Sequence, residues 1–178
     1  YRRQRQMCIR DRSDETKNSA SLMGRFEDCA VVSTCEPFHL YGMLWRLLYP
    51  MSLKMPAHSI TIRDPETLIA IQKQNQKVLF ITTPSFIEAV ARHRELYDFP
   101  QNVAAITTSG GLLKEKACAD SKEIWGAIPT EIFGSTASGG IASRNRGVSP
   151  VRRKQDIGIQ TEYTGSRHME GIEDEIRI

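Results

Sequence analysis

Between Cys29 and Phe133 the sequence alternates short apolar, β-branched runs with longer stretches of helical spacing, and this alternation limits the fold more than any other feature. It predicts strands at Cys29–Ser33, His58–Ile62, Lys77–Ile81, Asn102–Ile106 and Pro129–Phe133, with helices at Phe38–Leu53, Pro65–Gln74, Pro84–Leu96 and Leu113–Trp125 between them. Two helix starts are marked twice over. Pro65 and Pro84 stand at the first helical position, where a missing N–H costs nothing, and Asp64 and Thr83 precede them as caps. Each parallel strand needs a helical crossover before the next strand can pair, so the expected fold is α/β: an open, mostly parallel sheet with helices on both faces.

Beyond Gly140 the pattern weakens. Arg144 to Lys154 reads as a basic loop, followed by antiparallel strands at Gly158–Tyr163 and Glu173–Ile178. The expected organisation is a leader over 1–12, an α/β core over 13–144, and the start of an incomplete β-rich subdomain over 145–178. Residues 1–12 hold five arginines and one aspartate without helical or strand periodicity, and they resemble translated adapter sequence. They are set aside as a non-native or disordered leader that makes no fixed contacts. The net charge of +3 resides there, and the rest of the chain is near neutral, so no nucleic-acid partner is expected.

Cys8, Cys29, Cys35 and Cys118 lie far apart with no C-x-x-C spacing, and no secretory signal precedes them. Reduced thiols in a cytoplasmic protein are the expectation, without a Cys/His metal centre. The longest apolar stretch, Leu40 to Met51, is broken by Arg46 and is shorter than the roughly 20 residues of a membrane span.

In open parallel sheets, ligands bind outside the carboxyl ends of the strands. Four loops should gather at that edge: residues 33–37, 82–85, 107–111 and 134–140. Serine, threonine and glycine dominate them, supplying hydroxyl donors and a closely approachable backbone. The last two loops are one crossover unit apart and can share a crevice. On residue type alone, Gly110-Gly111 fits a helix-packing turn as well as a phosphate or base contact, Phe133 fits a core position, and His39 fits an inert residue at a helix start.

Thr108-Ser-Gly-Gly111 followed by Phe133-Gly-Ser-Thr-Ala-Ser-Gly-Gly-Ile-Ala-Ser-Arg144 resembles two consecutive motifs of the AMP-dependent synthetase and ligase family. Pro37-Phe-His-Leu-Tyr-Gly42 is similar to the motif that precedes them. The likeness runs from about Cys29 to Arg144 and is nearest in flavour to a bacterial acyl-coenzyme A synthetase-like branch. It implies an internal fragment of the large N-terminal domain of an adenylate-forming enzyme.

The resemblance implies ATP and Mg²⁺ as cofactors, a small carboxylic or fatty acid as substrate, and coenzyme A or the thiol of an acyl carrier protein as acceptor. Ser109, Gly110 and Gly111 match the segment lying along the adenine, and Phe133 matches the aromatic packed on its ring. Gly134 and Ser135 continue that motif to Thr136, which matches the catalytic hydroxyl contacting the α-phosphate. His39 matches a position at the acyl pocket. Ala137 stands where the family has a glutamate that helps hold Mg²⁺, so no metal ligand is expected from this segment. The phosphate loop and the catalytic lysine of the family have no counterpart in these 178 residues, so the chain alone is expected to be inactive. A degenerate nucleotide- or acyl-binding relative and an unrelated α/β interaction domain are the alternatives.

Overall fold

The structure, a computed structural model, describes Phe26 and residues 28–135, 139–145 and 149–153. The expectations for the leader, for Thr136 and Ala137, and for strands at Gly158–Tyr163 and Glu173–Ile178 lie outside the described residues.

Strands β1 (Ala30–Ser33), β2 (Ala57–Thr61), β3 (Val78–Thr82), β4 (Val103–Thr108), β5 (Thr130–Ser135), β6 (Gly139–Asn145) and β7 (Ser149–Arg153) form one sheet, ordered β2-β1-β3-β4-β5-β6-β7. Strands β1 to β5 are parallel, while β6 and β7 add antiparallel to the β5 edge. The fold is therefore the expected α/β sheet, with a hairpin extension that the sequence does not announce.

Helix α1 is continuous over Leu40–Gly42, Met43–Leu48 and Tyr49–Leu53, and its middle segment is π-helical. Helices α2 (Pro65–Gln74), α3 (Pro84–Ala91) and α4 (Glu115–Trp125) follow. The two proline starts form as their chemistry requires. Asp64 Oδ1 accepts from Thr67 N at 2.7 Å, and Thr83 Oγ1 accepts from Phe86 N at 3.4 Å. Helix α3 stops before Leu96 because the chain turns through a short 3-10 segment, Arg94–Leu96, to carry Tyr97 and Phe99 back to the core.

Alternate residues of each strand face opposite layers. On one face Val32, Phe80 and Ile106 pack under α2, α3 and α4, through Leu68, Ile71, Ile87, Val90 and Trp125. Phe80 meets Trp125 edge-on at 5.6 Å, and Trp125 meets Phe99 at 5.4 Å. Contacts of this kind add about 0.5–1.5 kcal/mol each to the burial itself. On the other face Val31, Leu79 and Ile81 pack against Leu44, Trp45 and Tyr49 of α1. Both faces are thus covered, as a parallel sheet demands.

Two segments differ from expectation. Residues 144–145 and 149–153, expected within a basic loop, are strand instead, and Arg144 pairs there with the buried Glu131 beside it. Residues 134 and 135, expected as loop, continue β5 for the same pairing. Among the described residues, no helix is long and apolar enough to cross a membrane.

One buried and one half-buried tyrosine, Tyr49 and Tyr41, give this packing a pH signature. Burial pushes the Tyr49 phenol up to about 12, with nearby Cys29 adding to the rise. Burial likewise raises Tyr41 well above its ordinary value, although its bond to Thr107 works the other way. The fold therefore holds both phenols protonated, while the unfolded chain ionises them near pH ~10. The stability they contribute is full below about pH 10 and is lost as pH rises towards the folded values. Urea unfolding midpoints should fall steeply above about pH 10, and Tyr41→Phe/Tyr49→Phe should flatten that fall; an unchanged pH slope in the double variant would contradict the assignment.

Candidate active site

The strand order reverses between β2-β1 and β1-β3, so the topological switch point lies between the carboxyl ends of β1 and β3. The loops after β1, β3 and β4 therefore open on one edge, as the sequence implies. Across that edge runs a polar row set by register: Thr82 beside Thr108, Thr108 beside Glu131, Glu131 beside Arg144. Thr34 extends the row at its other end, its hydroxyl 3.0 Å from that of Thr82. One step deeper, the same face is apolar, with Phe80 beside Ile106. The floor of the edge is thus polar, buried and laid on the hydrophobic core.

Thr108 is the unsatisfied member. Its hydroxyl is buried and has no hydrogen-bond partner, a state that costs about 1–3 kcal/mol. Directly after it comes the predicted glycine turn. Ser109 Oγ donates to the carbonyl of Ile132 at 2.8 Å, which ties the turn to β5 where that strand runs on past the end of β4. Gly110 has φ +87°, the left-handed region that suits glycine, and a Cβ there would meet nothing within 4 Å. Its backbone is open to approach. Gly111 rests against Pro84, at the start of α3.

The 109–111 turn and the Phe133–Ser135 segment therefore lie side by side. Phe133 is half-buried, with the Arg144 guanidinium over its ring at 5.4 Å. The backbones of Gly134 and Ser135 pair with Gly140 and Gly139. Thr136, the expected α-phosphate contact, and Ala137 lie outside the described residues.

His39 stands at the N-terminus of α1 in the loop after β1, exposed, with its ring 4.8 Å from that of Phe38. Two residues on, Tyr41 Oη donates to Thr107 Oγ1 at 2.6 Å and ties the start of α1 to the end of β4. The loop behind His39 is held from below. Cys35 N donates to Ser33 Oγ at 2.9 Å, and Arg46 Nη1 donates to Cys35 O at 2.9 Å and to Thr61 Oγ1 at 2.6 Å. Thr61 passes the chain to Glu36 at 3.0 Å, and Glu36 pairs with Arg63. Only 3% exposed, Arg46 is a structural clamp on the site that sequence reading registers merely as a break in an apolar run. Its one visible signal is a lone arginine between Trp45 and Leu47. Thr34 and Thr82 fall in loops expected at this edge, whereas the roles of Tyr41 and Glu131 stay hidden because their partners are distant in sequence.

For a nucleotide, the open Gly110 backbone is the suitable group, whereas the unmet Thr108 hydroxyl lies fully buried beneath it. For a metal, the described residues gather no group of three His, Cys, Asp or Glu side chains.

No family model and no curated protein sequence matches the chain. Solved structures do. MatB from Rhodopseudomonas palustris, solved bound to ATP, superposes with TM-score 0.67 at 11% identity, over 79% of this chain and 28% of its own. MenE, the O-succinylbenzoate coenzyme A synthetase of Bacillus subtilis, solved with ATP and a magnesium ion, gives 0.68 at 14% identity, over 80% and 29%. A benzoate CoA ligase from Burkholderia xenovorans gives 0.64 at 20% identity, over 77% and 30%. The chain thus spans under a third of the length of each of these enzymes. It carries the fold of part of the large N-terminal domain of adenylate-forming acyl-CoA ligases.

Proposed function

We infer that this chain belongs to an ATP-dependent acyl-activating ligase, which joins a carboxylic acid to AMP and passes the acyl group to a thiol. The carrying observation is the Ser109 to Ile132 hydrogen bond, which sets the Thr108–Gly111 turn against Phe133 in the order of two motifs of that family. The fold shared with coenzyme A ligases supports the same reading. In the reaction, a carboxylate oxygen attacks the α-phosphorus, the bond to the bridging oxygen breaks, and pyrophosphate leaves.

The turn at Ser109, Gly110 and Gly111 would lie along the adenine, with Phe133 packed on its ring and Gly134-Ser135 leading the chain on. Thr136 would hold the α-phosphate oxygen, and His39 would border the acyl group. Fixed donors of this kind stabilise charge as it spreads over the phosphate oxygens. No step is assigned to Mg²⁺, for which no cluster of His, Cys, Asp or Glu side chains gathers among the described residues. Coenzyme A is the acceptor that the structural neighbours favour.

The test is carboxylate-dependent exchange of labelled pyrophosphate into ATP by the full-length protein. Exchange is expected with small carboxylic acids and should be absent from the 178-residue chain alone. Ala137 favours one second reading, a relative that binds nucleotide without catalysis. Tight ATP binding by the full-length protein with no exchange from any acid would select that reading, and no ATP binding at all would overturn both.

A further inference from the structure

Pairing of β5 with β6 joins Glu131, Phe133 and Arg144 into one unit. Glu131 and Arg144 are direct cross-strand partners. Arg144 Nε donates to Glu131 Oε1 at 3.1 Å, and Nη2 donates to Oε1 at 3.0 Å and to Oε2 at 2.7 Å. The pair is nearly dry, with Arg144 15% and Glu131 3% exposed. The same guanidinium lies over the Phe133 ring, its Cζ 5.4 Å from the centroid. Immediately beyond, the register shifts by one residue between Phe133 and Gly134. Such bulges bend a strand and re-aim the side chain beside them.

These facts fix an orientation. A guanidinium forked onto a buried carboxylate cannot rotate freely, and a ring stacked beneath it shares that constraint. An aromatic ring has two faces. Arg144 takes one, so a planar base packed on this ring would use the other.

We propose that Arg144, held by Glu131, is a positioning residue that orients the Phe133 ring for a purine base and sets affinity for the base without contacting the phosphates. The proposal rests on the reading that Phe133 packs on the adenine. Its signature is selective loss: affinity for ATP falls, whereas affinity for inorganic tripolyphosphate, which has no base, does not.

The experiment is equilibrium binding of ATP and of inorganic tripolyphosphate to the full-length protein. Glu131→Leu/Arg144→Met removes both charges together and leaves no lone buried ion. It should weaken ATP about tenfold, the scale of one aromatic stack, and leave tripolyphosphate unchanged. Phe133→Ala should weaken ATP at least as much, and the triple variant should bind no worse than Phe133→Ala alone. ATP affinity within twofold of wild type in the double variant overturns the proposal. So does an equal loss for tripolyphosphate, or effects of the two changes that multiply. If the double variant does not fold, Arg144→Lys is read by the same criteria, since it keeps the charge and loses the planar fork. Should Phe133→Ala itself leave ATP binding intact, the base-packing reading fails and the proposal with it; if Phe133→Ala alone weakens ATP, that reading stands and only the positioning role is lost.

Discussion

Gly42→Ala is expected to destabilise the fold by about 3 kcal/mol or more, at the upper end of what a single added methyl does in a packed interior. An ideal Cβ at residue 42 would stand 2.1 Å from the carbonyl oxygen of Glu36 and 2.9 Å from its carbon. Both atoms are backbone, so no side-chain rotation relieves the clash. The loop cannot retreat cheaply either. Glu36 is tied to Thr61 and Arg63, and the adjacent Cys35 is held by Ser33 and Arg46. If the protein accepts the methyl by moving this loop, His39 moves with it, since its N–H donates to the same Glu36 carbonyl. The urea unfolding midpoint reads the effect directly. A loss below about 1 kcal/mol would mean that the start of α1 is not pressed onto the loop as described.

The elements that sequence alone locates well are those whose signals are local. Asp64-Pro65 and Thr83-Pro84 carry their helix starts within two residues, and both helices begin there. Strands β1 and β3 announce themselves through continuous apolar runs, because burial on both faces leaves no polar side to alternate with. The glycine turn at Gly110-Gly111 is legible for a similar reason, since glycine has few other uses directly after a strand.

What stays hidden depends on partners far away in the chain. Arg144 reads as exposed because arginine usually is, and its partner Glu131 stands thirteen residues earlier, across a hairpin. Arg46 is satisfied by two carbonyls and a threonine hydroxyl, none of them acidic, so charge pattern gives no hint of its burial. The π-helical stretch Met43–Leu48 has no local sequence mark, although it buries Leu44, Trp45 and Arg46 in succession. Motif likeness reaches Ser109 and Phe133, then passes over the residues that hold them. Ser109 is fixed by a backbone carbonyl of β5, and any residue at position 132 would supply it.

Breaking the Glu131–Arg144 pair from one side should be the most damaging surface-distant change in the second half of the sheet. Arg144→Met alone leaves a carboxylate at a position only 3% exposed, beside the already unsatisfied hydroxyl of Thr108. Removing one partner of a buried pair typically costs about 3–5 kcal/mol, most of it the penalty of the stranded charge. Glu131→Leu/Arg144→Met removes the charge with its partner and should recover most of that loss, because two apolar chains of similar volume bury well between strands. A single Glu131→Leu should again be costly, but less so, since Arg144 at 15% exposure can swing its guanidinium to water. The expected order of unfolding midpoints is therefore wild type and double variant together, then Glu131→Leu, then Arg144→Met. Equal and small losses in both single variants would show the pair to be solvated. In that case the orientation it gives Phe133 would have no rigid support, and the positioning role of Arg144 would fall on stability data before any nucleotide was added.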